Sequence, residues 1–426
     1  MVVGDRIRQL RLHKGMTQGE LVGGITSVAY LSRVENGNTK PSQNFISSVA
    51  PKLGVKVEDL MERRVDDVEQ RVREIYRQFQ QEKNIIEEDL SFLRLNATDL
   101  YPTSVHLKVY TILIYYYSKL NIDLEEAYRI YELSQRFISE QVESGLEEEF
   151  FYYYRACGAM FFNKQNYMKA SHYDDLREEL LVYVTNRKEI ANFYLDRSVT
   201  KQEILTDQTV SLFYAQKAYD LYLEVNDQVQ IAGVLITMGI QYHMNQQLDK
   251  SVESLTRAKE LVDPNNSYFL GIIEFHLGRV HVAQRNNEVA IEYYLRSLQY
   301  YEQLDVEEKR IHVYKRLVEV YIELKEWEKV EYYLNEGLTA VDPDQSPSLY
   351  IDLSSIKAGT YRLRQDEARY EKEMQRIINL GVESQQFILV IKLAKQIASY
   401  YFEKKAYKKS ANYFMMATEY EVKLTL

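Results

Sequence analysis

The sequence predicts an all-α protein, a short helical head followed by a long array of stacked helical hairpins. Three observations lead there. Of 426 residues only 16 are Gly and 6 are Pro, too few for the many special turns of an all-β or Gly-rich α/β fold. Tyr is unusually frequent, with 37 residues, and large rings with a polar tip suit the contact faces of packed helices. A spacing of about forty residues recurs through most of the chain, the signature of a repeat architecture. Hydrophobic residues make up 46% and charged residues 27%, so there is ample material for a core.

The head occupies residues 4–62 and reads as five short helices. Asp5 to Lys14 is amphipathic, with Ile7 and Leu10 inward and Arg6, Arg8 and Arg11 outward. Gly15 ends it. Thr17 then caps a second helix, with Glu20 completing a capping box and Leu21 inward. Gly23-Gly24 makes the turn, and Ser27 caps a third helix through Val34 that Asn36-Gly37 stops. Ser42 to Ala50 and Val57 to Met61 form the last two. Pro51 falls in the final turn of the fourth helix, which is expected to end early because the ring disturbs the preceding carbonyls.

Charge separates this head from the rest. Residues 1–64 hold ten Lys/Arg and six Asp/Glu, a net of +4, so the total of −10 leaves −14 on residues 65–426. A basic head on an acidic body fits a head that alone approaches a polyanion. The motifs Thr17-Gln18-x-Glu20-Leu21, Ser27-x-x-Tyr30-Leu31-Ser32-x-x-Glu35-Asn36-Gly37, Lys40-Pro41-Ser42 and Leu53-Gly54-Val55 resemble the Cro/C1-type (XRE) helix-turn-helix DNA-binding domain. The physics agrees: a short helix after a tight turn can enter the major groove with its first side chains at base edges. Ser27, Val28, Ala29 and Arg33 take the groove-facing positions, with Arg33 suited to guanine and Val28 or Ala29 to a thymine methyl. Gln18, Asn38 and Lys40 are candidates for phosphate contacts. The bland alternative is a five-helix module whose polar residues are merely solvated.

The body begins at residue 66, giving domains 1–65 and 66–426. Aligning Gly239, Gly278, Val318, Ala358 and Ala398 gives spacings of 39, 40, 40 and 40. Three residues after each lies Tyr242, His281, Tyr321, Tyr361 or Tyr401, and twelve after lies Ser251, Ala290, Val330, Tyr370 or Ser410. Gly158 with Phe161 and Ala170 fits the same frame, and a weaker copy centres on Ser198. This spacing resembles the tetratricopeptide repeat, in which the small residue admits a close helix approach and the aromatic fills the gap between successive hairpins. With further pairs at about 68–100 and 105–139, the resemblance implies a right-handed superhelical solenoid of about nine hairpins. Asp263-Pro264, Asp342-Pro343, Pro102 and Pro347 all fall between expected helices.

A stack of such hairpins presents a groove lined by its first helices. The frame turns Arg155, Asn192, Asp196, Arg197, Thr237, His243, His276, Arg279, His312, Arg316, Arg362 and Lys395 toward it. An extended peptide can satisfy its backbone on Asn192 and a carboxylate on Arg279 or Arg316. Arg155, Asn192, Thr237, His276, Arg279 and Arg316 are therefore the peptide-binding candidates. The alternative is internal pairing, as of Arg316 with Glu319 or Glu323.

No chemistry of another kind stands out. P-loop, GxGxxG, GxSxG and HExxH patterns are absent, and His276 and His281 are five apart, off the four-residue zinc spacing. Cys157, the one cysteine, allows no internal disulfide and sits at a core position. The longest apolar stretch, Val109 to Tyr117, is far short of the roughly 20 residues of a membrane span. The expectation is a cytoplasmic protein without catalytic residues, metal or cofactor.

A Cro/C1-type head on an all-helical repeat body resembles the peptide-sensing regulators named for Rap, Rgg, NprR, PlcR and PrgX, and the length fits the NprR type. That resemblance implies a quorum sensor: a transcriptional regulator of double-stranded DNA, switched by a short signalling peptide that alters a homodimer or higher homo-oligomer. A response-regulator protein is a further partner it admits. One alternative is a phosphorelay modulator of the Rap kind, docking such a protein through Asp67 to Ser139, with Gln78, Gln80 and Gln81. Another is a helix-turn-helix regulator controlled by a protein partner.

Overall fold

The computed structural model describes residues 3–61, 65–139, 141–304 and 306–425. The expected Arg63 and Arg64 charges and the domain boundary beside them fall at or next to residues outside that set. Among the described residues every regular element is helical. The chain divides into two compact units, Met1–Asn226 and Asp227–Leu426.

The head of the first unit consists of α1 (Val3–His13), α2 (Gln18–Val22), α3 (Val28–Glu35), α4 (Gln43–Leu53) and α5 (Val57–Leu60). Ile7, Leu10, Leu21, Leu31, Val34 and Val49 form its core. Two expectations fail here. Arg6 and Arg11 are buried rather than outward, at 4% and 7% exposure, because each guanidinium finds an internal acid; of the three arginines only Arg8 is exposed. And α4 does not end early: it runs through Pro51 to Leu53 and closes on Gly54, whose φ is +67°. Pro51 and Ser47, four residues before it, are both exposed, so the carbonyl that loses its donor lies on the solvent side. Val55 N then donates to Ala50 O at 3.1 Å, which satisfies the end of the helix.

The body of this unit starts with α6 (Val65–Glu82), α7 (Glu87–Asn96), α8 (Thr103–Tyr115) and α9 (Leu124–Ser134), α8 being extended by a π-turn over Tyr116–Leu120. The region 68–100 is not a simple hairpin. α6 packs on α8, and α7 packs on both α8 and α1 of the head, so one short helix serves two cores. Regular hairpins follow: α10 (Glu147–Asn163) with α11 (Tyr167–Leu180), and α12 (Arg187–Ile204) with α13 (Thr209–Glu224).

The second unit continues the pattern. α14 (Gln228–Met244) pairs with α15 (Leu248–Leu261), α16 (Ser267–Ala283) with α17 (Asn287–Leu304), and α18 (Glu307–Leu324) with α19 (Trp327–Thr339). The last pairs are α20 (Pro347–Leu363) with α21 (Glu367–Glu383), and α22 (Phe387–Glu403) with α23 (Tyr407–Thr425). Helices of about 17 residues account for the long repeat.

The forty-residue frame has a structural cause. At the small position a Cβ on Gly278 would meet Tyr294 at 2.6 Å, and one on Gly239 would meet Leu255 at 2.7 Å. Seven residues later the hairpin turns on Gln165, Gln246, Arg285, Lys325, Gln365 or Lys405, each in the left-handed region with φ between +58° and +62°. The weak copy at Ser198 lacks this turn, since Leu205 is extended at φ −101° and ψ 137°. The aromatic position does more than fill the gap between hairpins, as Phe161 does against Tyr131 of α9 at 5.0 Å. Its ring also stacks within the hairpin: Phe161 on Tyr173, His281 on Tyr293, Tyr321 on Tyr333 and Tyr401 on Tyr413, at centroid distances of 5.7, 5.1, 5.5 and 5.8 Å. The partner ring lies fifteen residues past the small position, where the second helix faces the first.

Candidate functional site

In the head, capping chemistry aims α2 and α3. Thr17 Oγ1 accepts from Glu20 N at 3.2 Å, and the Glu20 carboxylate accepts from Thr17 N at 2.6 Å. Gly24 turns the chain at φ +78°. Ser27 Oγ accepts from Tyr30 N at 3.2 Å, so this hydroxyl already caps α3. Behind them, Arg11 Nε and Nη2 donate to the two Glu35 oxygens at 2.6 and 2.9 Å, and Gln18 Nε2 donates to Glu35 Oε2 at 2.8 Å. Gln18 thus fastens the start of α2 to the end of α3, a role that its place in the motif does not reveal. Val28, Ala29, Arg33, Asn38 and Lys40 are all exposed. Ala29 and Arg33 lie one turn apart on the same side of α3.

The peptide-binding candidates divide between the units. In the first, Arg155 is paired: its Nη1 donates to Glu189 at 2.7 Å, and Nε lies 3.4 Å from Asp196. Asn192 Oδ1 accepts from Tyr222 Oη at 2.5 Å. Arg197 is buried against Asp175 and Glu178, and Asp196 also faces buried Arg177 at 3.2 Å. Burial pushes the nearby Asp174 carboxyl up to about 6, although Arg177 opposes it. This is a largely self-compensated ionic network.

The second unit is different. A pocket of about 240 Å³ is lined by His243, Arg279, Tyr294, Arg316, Glu319 and Glu323 among others. Arg316 Nη1 donates to Glu319 Oε2 at 2.6 Å, the internal pairing weighed as an alternative. Among the described residues Arg279 has no ion pair. Burial and the neighbouring Arg316 charge lower its pKa. Burial and the charge of Arg279 push His276 down to about 3, which leaves its imidazole neutral. Burial and the same two arginines hold His243 low as well. Thr237 turns its hydroxyl back onto Gly233 O at 3.0 Å. His312 lies 4.0 Å from Glu308, while Arg362 and Lys395 are paired to Glu403 and Glu421. The pocket therefore holds two guanidiniums and two carboxylates, and while Arg316 is paired with Glu319, Arg279 is left to hydrogen-bonding partners beside a neutral imidazole. Tyr294, on α17, has no local signature as a lining residue because it reaches the pocket from across the hairpin, whereas Glu323 shares α18 with Arg316.

Among the described residues no group of three His, Cys, Asp or Glu is arranged to hold a metal, and no helix is long and apolar enough to cross a membrane. Cys157 is fully buried, and burial pushes its thiol up, which disfavours a thiolate nucleophile.

Comparison with known proteins agrees with this layout. The family described as Helix-turn-helix matches residues 7–60. The Transcriptional activator NprA of Geobacillus stearothermophilus is 22% identical over 420 residues, covering 94% of this chain and 98% of the relative. The apo form of the quorum sensor NprR from B. thuringiensis superposes with a TM-score of 0.58 at 15% identity, over 84% of this chain and 99% of that one. The chain is thus similar over most of its length to a transcriptional activator, and it shares the fold of a quorum sensor. NprR in complex with its cognate peptide NprX shares the fold as well, with a TM-score of 0.54 at 13% identity over 83% of this chain and 99% of NprR. The helix-turn-helix match and the helical repeats thus occur in one chain.

Proposed function

We propose that this chain is a cytoplasmic, non-enzymatic transcriptional regulator that binds double-stranded DNA through its head and is switched by a short signalling peptide. The observation that carries the reading is the Arg279 pocket. An under-compensated guanidinium beside neutral imidazoles is a receptor for a carboxylate, and it sits on the repeat body of a chain that presents an exposed α3. Ser27, Val28, Ala29 and Arg33 read bases, and Gln18, Asn38 and Lys40 set the register on phosphates, with Gln18 acting through its backbone position at the start of α2. Arg155, Asn192, Thr237, His276, Arg279 and Arg316 serve the peptide. A homodimer or higher homo-oligomer would place two α3 helices on a two-fold site about 34 Å apart. The peptide acts by binding two states of the protein unequally.

Fluorescence polarisation on labelled duplex at low salt, with and without a culture-derived peptide extract, tests this. Absence of binding in both conditions would refute the reading. Arg279→Ala is expected to weaken peptide binding about tenfold or more, and Arg316→Ala less, because Arg316 already has Glu319. Basal DNA affinity should stay unchanged in both. Equal calorimetric affinity in the Arg279 variant and the wild type would reject the pocket.

A further inference from the structure

Helix α7 is buried on more than one side. Leu95 belongs to the apolar core of the head, while Leu90, Phe92 and Leu93 belong to that of the body. Polar contacts reinforce both attachments. Arg6 Nη1 donates to Met61 O at 2.6 Å and Nη2 lies 3.3 Å from Asp99, with the arginine side chain 5% exposed. Lys14 faces Glu87 at 3.6 Å and Lys56 faces Glu88 at 2.8 Å. On the body side Arg71 pairs with Asp89 at 2.6 Å, and Arg94 donates to the Tyr117 hydroxyl and to Glu126 of α9. Three cations of the basic head thus meet acids of the acidic body across one seam. The seam draws on α1, Lys14 and Lys56, and leaves Val28, Ala29 and Arg33 of α3 exposed.

We infer that α7 is a clamp that holds the DNA-binding head in one orientation on the body, with the recognition helix outward. Control over DNA is then exerted by aiming α3, not by covering it. A helix shared by two close-packed cores cannot move in one without moving the other. Any rearrangement that shifts α8 or α9 therefore carries the head with it. The consequence for DNA rests on the regulatory reading proposed above; the clamp itself does not.

The test uses the full chain with a dye on Gln43→Cys, an exposed position of α4, since Cys157 is buried. Time-resolved anisotropy should show one slow correlation time for the wild-type seam. E87K/E88K should add a fast component of at least a third of the amplitude, and adding K14E/K56E should remove it by restoring opposite charges. A fast component already present with the intact seam, or none in E87K/E88K, overturns the clamp. The same proteins are then used to select duplexes from a random 40-base-pair pool. The intact and charge-swapped seams should enrich paired half-sites at a single spacing, and E87K/E88K the same half-site at several spacings. Identical spacing in all three overturns aiming as the means of control. No enrichment by any of them, with the anisotropy as expected, overturns the regulatory reading and leaves the clamp standing.

Discussion

Arg11 and Glu35 lie 24 residues apart and form a bidentate pair that Gln18 completes. Burial alone would push the Glu35 carboxyl up. The hydrogen bonds from Arg11 and Gln18, with the charges of Arg11 and Arg8, outweigh it and hold the group below its ordinary value. A depressed carboxyl contributes stability above its unfolded pKa, and that contribution is lost as pH falls through the folded one. Thermal unfolding of the head, followed by hydrogen exchange in α1 to α3, should therefore become easier below about pH 4.3. Glu35→Ala should cost roughly 3 kcal/mol or more, because it leaves the Arg11 guanidinium buried and uncompensated. It should also flatten the acid dependence; an unchanged dependence would show that Glu35 is not its source.

The hairpins stand or fall on contacts between their two helices. Gly278 sits where a Cβ would strike the Tyr294 ring at 2.6 Å, and that ring is 1% exposed. Gly278→Ala should destabilise the second unit by about 1–3 kcal/mol, as overpacking does. A Cβ on Gly359, in α20, would meet nothing within 4 Å. Gly359→Ala should stabilise by about 0.5–1 kcal/mol through helix propensity alone. Calorimetric melting of both variants decides the matter, and equal shifts of the same sign would contradict this account of the frame. The frame was legible in the sequence because small and aromatic residues recur at fixed offsets. The intra-hairpin stacking was not, because an offset of fifteen residues has meaning only once the turn at Gln165, Arg285, Lys325 or Lys405 reverses the chain.

At the scale of the whole molecule, charge is distributed by task. The head is basic and the body acidic, yet Arg6, Lys14 and Lys56 face body acids and Arg11 faces Glu35. Fewer free cations remain for phosphate than the net charge suggests. DNA affinity should fall with salt, and Lys40→Ala should lower the slope of log affinity against log salt by about 1. A slope unchanged within error would remove Lys40 from the phosphate contacts. Reversing an exposed body charge, as in Lys408→Glu, should leave the slope as it was.

Local rules in the chain determined most of the architecture. The capping box at Thr17, the turns at Gly15, Gly24 and Gly37, and the small and aromatic offsets of the body all depend on neighbours within a few tens of residues. Those are interactions that spacing alone can encode. The tertiary structure decided where charged side chains end up. It turned Arg6 and Arg11 inward, tied Gln18 to Glu35 and paired Arg155 with Glu189. Among the described residues it left Arg279 without an ion pair. Whether an arginine is free to bind a ligand depends on which carboxylate the fold brings within reach, and that partner can lie anywhere in the sequence.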